Sequence, residues 1–171
     1  DGKIKALKEG SAVINVSFAG DDIYAAAEDQ TITVTVSLND ASVIAEGMEL
    51  KVGENGTVSY TTTPDGLNVS FVPDDSGVVS VAADGTVTAL KEGTAQITVK
   101  VGGDGVYAEN STVVTVTVSL NDASVVADDM ALNVGENGTV SYTTTPDGLD
   151  VTFVADDSGV VRVDDSGVVT A

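Results

Sequence analysis

The chain has 171 residues and a formal net charge of −20, with 27 Asp and Glu set against 7 Lys and Arg. It contains no Cys, His or Trp, which excludes disulfides, thiolate–metal sites, imidazole acid–base chemistry and ordinary zinc sites. A surface this acidic repels nucleic-acid phosphates and anionic lipid headgroups, and no apolar run approaches the 18 residues of a membrane span.

Read in chain order, the sequence offers strands. Residues 11–18 (SAVINVSF) alternate, with Ala12, Ile14, Val16 and Phe18 on one face. Period two with β-branched residues marks a half-buried strand. Residues 24–29 (YAAAED) could form a helical turn, but the later counterpart from Tyr107 to Asn110 is shorter, so a loop is expected. Alternation returns at 57–62 (TVSYTT), 67–72 (LNVSFV), 78–82 (VVSVA) and 86–90 (TVTAL). It closes with 94–101 (TAQITVKV) and 112–118 (TVVTVTV). Asn55-Gly56, Asp65-Gly66, Ser76-Gly77, Asp84-Gly85 and Glu92-Gly93 punctuate these runs and suit tight turns. Turn signals at this spacing, with no helical period, predict an all-β chain of β-sandwiches with about seven strands each.

The chain also repeats itself. Residues 36–67 recur almost unchanged as 118–149, so Leu38 returns as Leu120 and Tyr60 as Tyr142, 82 positions later. Leu7-Lys8-Glu9-Gly10 returns as Leu90-Lys91-Glu92-Gly93 after 83, the extra residue falling between Tyr24 and Thr31. A fixed period marks an array of like units. The register divides the chain into 1–37, the C-terminal part of a repeat; 38–118, a complete repeat; and 119–171, the N-terminal part of the next. Either the chain is a window on a longer tandem array, which is the preferred reading, or part-units of different molecules complete one another. No Pro/Ser-rich linker separates units, so they are expected to stack end to end as a semi-rigid rod, each adding ~35–45 Å.

Val52-Gly53-Glu54, Pro64 and the run Val79, Val81, Gly85, Val87, Ala89, Gly93, Ala95, Ile97 resemble the bacterial Ig-like group 2 domain. The second copy repeats the pattern at Val134-Gly135-Glu136, Pro146, Val161, Val163, Gly167, Val169 and Ala171. The first part-unit carries Gly2, Ile4, Ala6, Gly10, Ala12 and Ile14. Phe71 and Phe153 stand where that family often has Trp, and Phe suits the same core site. The Gly-Asp-x-x-Tyr segments, Gly20 to Tyr24 and Gly103 to Tyr107, are similar to adhesin-like surface proteins of methanogenic archaea. The resemblance implies an extracellular, cell-surface repeat of the intimin and invasin kind, usually a stalk.

Candidate sites are few. Asn15, Asn55, Asn68, Asn110 and Asn137 head N-x-S/T sequons on expected surface positions, suiting glycosylation. Chance accounts for them equally well in a Ser/Thr-rich chain. Acidic pairs recur at Asp21-Asp22, Asp74-Asp75, Asp128-Asp129, Asp156-Asp157 and Asp164-Asp165. Ca²⁺ is the conceivable ligand, but none has the EF-hand spacing, and turn formation is the stronger reading. A glycosidase pair needs a cleft that a sandwich with short loops does not offer. A Lys–Asn crosslink is disfavoured because Lys51 becomes Asn133 in the next copy. Tyr24, Tyr60, Tyr107 and Tyr142 are expected as core or corner residues rather than a carbohydrate platform. No catalytic, cofactor or metal residue is assigned. The favoured function is a non-enzymatic stalk or filament segment of a surface adhesin. Its expected partners are neighbouring repeats and other copies. The alternative is a module that itself binds cells or glycans.

Overall fold

The structure, a computed structural model, describes residues 2–171; Asp1, which opens the first repeated segment, lies outside the described residues. The chain is all-β and separates into two compact units, one reaching Leu120 and the other Asn121–Ala171. The first holds β1 (Gly10–Val16), β2 (Gln30–Val36), β3 (Ser42–Ala45), β4 (Met48–Lys51), β5 (Asn55–Thr57) and β6 (Tyr60–Thr63). It continues with β7 (Val69–Pro73), β8 (Val79–Val81), β9 (Thr86–Ala89), β10 (Gly93–Val101) and β11 (Asn110–Ser119). The second holds β12 (Ser124–Ala127), β13 (Asn137–Thr139), β14 (Tyr142–Thr145), β15 (Arg162–Val163) and β16 (Val168–Thr170).

Residues 38–119 form a two-layer sandwich. One layer is the sheet β4-β11-β10-β7; the other is made of β3-β6 and β5-β9-β8. The alternation seen in the sequence becomes the core. Ala95, Ile97, Val99 and Val101 of β10 join Val114, Val116 and Val118 of β11, all buried. They face Val43, Val58, Val79, Val87 and Ala89 of the other layer. Each fully buried Val or Ile contributes about 1.5–3 kcal/mol, so a core with few aromatics still holds.

The first strand changes sheets midway. β3 pairs antiparallel with β6, whereas β4 pairs parallel with β11, Met48 lying opposite Val116 and Leu50 opposite Val118. Gly47 sits at the changeover. A Cβ there would lie 2.5 Å from the carbonyl oxygen of Thr115, so only glycine lets the strand cross so close to β11.

The expected strand 57–62 is instead two strands, broken at Val58-Ser59. β5 pairs with β9 and β6 with β3, so the segment bridges both parts of its layer. Val58 is buried and its N–H donates to the carbonyl of Gly85 at 3.0 Å. Nor does Asn55-Gly56 make a turn. Both residues lie in β5, and Asn137 and Gly138 lie in β13. The turn comes earlier, at Gly53 (φ 87°), where the Glu54 N–H donates to Lys51 O at 2.9 Å. Glycine is needed at 56 for room, since a Cβ would lie 2.8 Å from Met48 Sδ.

The second unit is an internal control. β12, β14, β13, β15 and β16 repeat the pairing of β3, β6, β5, β8 and β9. Residues 130–133 and 151–155 match β4 and β7 in sequence but are not strands. Among the described residues this unit has no counterpart of β10 and β11, the ladder partners of β4 and β7. The converse holds for β1 and β2, which match β10 and β11 and pair only with each other. A strand without a ladder partner leaves its amide groups to water and has no reason to stay extended.

Gly47→Ala is expected to destabilise the first unit by about 1–3 kcal/mol, as overpacking does. Gly56→Ala is expected to cost less, because the end of Met48 can swing aside whereas the Thr115 carbonyl is fixed in its strand. Urea unfolding followed by far-UV circular dichroism would check the order; equal midpoints for Gly47→Ala and the wild type would refute it.

Candidate functional site

The polar chemistry of this chain is concentrated in its turns. Asp104 Oδ1 accepts from the N–H groups of Val106 (2.9 Å) and Tyr107 (2.8 Å). Asp21 Oδ1 does the same for Ile23 (2.9 Å) and Tyr24 (2.7 Å). Asp74 spans two elements: Oδ1 accepts from Ser76 N–H at 3.1 Å and Oδ2 from Gln96 N–H at 2.8 Å. Asp84 Oδ1 accepts from Thr86 N–H at 2.9 Å. Asp156 and Asp164 hold Ser158 and Ser166 in the second unit. Glu54 and Glu136 close equivalent turns by accepting from Lys51 and Asn133 N–H at 2.7 and 2.9 Å. The first member of four of the five acidic pairs is thus a turn acceptor. The fifth, Asp128-Asp129, lies at the changeover segment, with Asp128 N–H donating to Ser141 O at 3.2 Å. Among the described residues no three carboxylates gather into a group suited to a metal ion.

These hydrogen bonds favour the ionised carboxylate. The Ser76 hydroxyl and then the Gln96 N–H hold Asp74 below the ordinary aspartate range. The Thr86 N–H does so for Asp84, and the Tyr107 N–H followed by that of Val106 for Asp104. The Asn133 N–H lowers Glu136. The Ser158 hydroxyl lowers Asp156 and the Ser166 hydroxyl lowers Asp164.

An aromatic clip recurs beside these turns. Tyr60 and Phe71 meet edge to face at 5.6 Å and 63°, and Tyr142 and Phe153 at 5.5 Å and 67°. Phe71 lies over Gly85, where a Cβ would come within 2.9 Å of its ring, and Phe153 lies likewise over Gly167 at 3.0 Å. The Phe side chain is half-buried against the core, as the core assignment requires. Of the tyrosines expected as core or corner residues, Tyr107 packs on the core and Tyr24, Tyr60 and Tyr142 are exposed. Tyr60 follows the break at Val58-Ser59, which turns its ring outward over Phe71. The periodic pattern carries no sign of that break.

Asn15, Asn55, Asn68, Asn110 and Asn137 are all exposed. Asn15 lies in β1, Asn55 in β5, Asn110 at the start of β11 and Asn137 in β13, with Asn68 just before β7. Asn55 Oδ1 accepts from the Thr88 hydroxyl at 2.7 Å. Two clefts are mainly apolar. One of about 300 Å³ lies along β1–β2 between Ile4, Leu7, Ile14 and Val36. The other, about 440 Å³, lies in the second unit between Met130, Leu132, Val160 and Val169. A shallower one beside β12 and β14 has a single carboxylate, Asp150, on its wall. None of the three offers two facing carboxyls.

No protein-family profile matches the chain. It is 37% identical over 84 residues to an alpha-L-arabinofuranosidase of Bifidobacterium longum subsp. longum, a match covering 47% of this chain and 8% of that protein. It is 33% identical over 131 residues to an uncharacterized protein of Clostridium acetobutylicum, covering 72% of this chain and 13% of that one. The chain therefore spans about a tenth of the length of the curated relatives it matches. Among solved structures, domains 1–6 of the surface layer protein SbsC align over 94% of this chain and 24% of that one, at 18% identity and a TM-score of 0.36.

A carboxylate depressed by native hydrogen bonds adds stability above its unfolded value, and loses it as pH falls through the folded value. At high ionic strength, where self-repulsion is screened, the melting temperature is expected to fall as pH drops below about 4. A flat profile down to acid would show that the turn carboxylates contribute nothing.

Proposed function

We propose that this chain is a segment of a non-enzymatic extracellular stalk or filament of a prokaryotic surface protein, built from tandem Ig-like repeats of the group 2 kind. The observation that carries the proposal is the reuse of one cassette. The β3–β6 and β5–β9–β8 pairings, the turn acceptors Glu54 and Asp74 and the aromatic clip recur with an 82-residue offset, and many of the carboxylates are spent on turns. A rod of identical segments provides reach and stiffness without a binding centre, and its negative charge keeps neighbouring rods apart.

A second reading rests on the arabinofuranosidase likeness. A stretch about one repeat long recurs inside a large carbohydrate-active enzyme, which suits a module that touches glycans through the Tyr60–Phe71 clip. Two experiments separate the readings. Immunogold labelling of cells that make the chain is expected to decorate surface projections; label confined to the cytoplasm would sink the stalk. A glycan array probed with the 171-residue chain is expected to stay blank. Binding abolished by Tyr60→Ala with Tyr142→Ala would establish the second reading instead.

A further inference from the structure

The Gly-Asp-x-x-Tyr segment from Gly103 to Tyr107 connects β10 to β11 outside the sheets, yet it is closely built. Asp104 Oδ1 accepts from the N–H groups of Val106 and Tyr107 at 2.9 and 2.8 Å. The Gly103 N–H donates to the Tyr107 carbonyl at 3.0 Å. Gly102 enters the loop with φ 81°, and a Cβ there would run into the Ala108 carbonyl. Tyr107 packs on the core and anchors the far side.

The braced loop grips one residue. The Val106 carbonyl accepts twice from Asn39, from its N–H at 2.9 Å and from Nδ2 at 3.2 Å. The Ala108 N–H donates to the Asn39 carbonyl at 2.9 Å, and Asn39 and Tyr107 form a parallel bridge. Both main-chain polar groups of Asn39 and its side-chain amide are thereby held. Asn39 lies between β2, which matches the last strand of a repeat, and β3, the first strand of the next. Only Ser37 and Leu38 separate it from the end of β2 at Val36. The loop therefore closes on the chain where one repeat gives way to another. Both parts recur: Asp21 Oδ1 makes the same pair of bonds to Ile23 and Tyr24, and Asn39 returns as Asn121.

We propose that the Gly-Asp-x-x-Tyr loop is a joint clasp, a site built to hold the Asn that opens each repeat and so to fix the direction in which that repeat leaves its predecessor. An unheld junction of small and flexible residues would swing. The three hydrogen bonds on Asn39 stop that freedom at its position and leave only Ser37 and Leu38 to bend. The residue type follows from the geometry. An Asn side chain can donate to the carbonyl that its own N–H already meets; an ionised Asp has no donor and would set a carboxylate oxygen against it.

The clasp deepens the stalk reading, which needs stiff joints, but its test lies within one repeat. Amide hydrogen exchange is measured by NMR on the 171-residue chain. Asp104→Ala is expected to speed exchange of the Asn39 and Ala108 amides by about tenfold or more, leaving Val99 and Val116 at the sheet centre unchanged. Asn39→Asp, a change of similar size at an exposed position, is expected to act in the same direction by about three- to tenfold. Asp104→Asn keeps an oxygen acceptor and is expected to retain most of the protection. Order parameters of Leu38, Asn39 and Asp40 are expected near the ~0.85 of rigid backbone, falling toward ~0.6 in Asp104→Ala. Unchanged exchange at Asn39 and Ala108 in Asp104→Ala, all amides accelerating together, no rescue by Asp104→Asn, or Leu38–Asp40 equally ordered with and without Asp104 would overturn the clasp. None of these outcomes would move the surface-labelling result, and cytoplasmic label would leave the exchange pattern as it is.

Discussion

The fold depends on the ladder that β10 and β11 offer to their neighbours. This hairpin supplies seven of the buried aliphatic side chains and is the hydrogen-bonding partner of both β4 and β7. Where it is present, β4 and β7 are strands; in the second unit the matching residues, which keep Met, Leu, both Val and Phe at the same positions, are not. Local propensity is therefore insufficient for these two segments, and partnership decides their conformation. The remaining layer is more self-reliant. β12 to β16 form with the same registers as in the complete repeat, because their partners lie within the layer itself.

Close approach and charge are handled by different residue types. Glycine appears where backbones or rings come together: at Gly47 against Thr115, at Gly56 against Met48, and at Gly85 under Phe71. Aspartate appears where the chain turns, accepting hydrogen bonds from residues just ahead and, at Asp74, from Gln96 of β10 as well. The chain thus draws local structure from part of its large negative charge. The aromatic clip ties the two roles together, since Phe71 rests on the turn that Asp84 shapes.

Much of the architecture was legible because alternation and turn chemistry are local. Ala95, Ile97, Val99 and Val101 could be placed on a buried face from spacing alone, and the all-β sandwich followed. The errors share one cause. Asn55-Gly56 looks like a hairpin corner, yet the glycine is there to admit Met48, a contact from a different strand. The run at 57–62 alternates without interruption, yet it breaks at Val58-Ser59 to serve two partners. That break also sets Tyr60 outward over Phe71, which the spacing alone does not reveal. Short β3 could have been found from Ala41, Val43 and Ala45, which alternate in the same manner. Four of the five acidic pairs carry a turn acceptor, but which carboxylate of each pair bonds which amide depends on neighbours such as Gln96, far away in sequence.

The parallel pairing of β4 with β11 has a mechanical consequence. These are the entry and exit strands of the complete repeat, lying side by side from Met48–Val116 to Lys51–Ser119. Tension applied at the two ends of the repeat pulls them in opposite directions along their length. Their hydrogen bonds are then loaded in shear and must give way together, instead of unzipping one at a time. A repeat wired in this manner resists extension until a threshold force is reached.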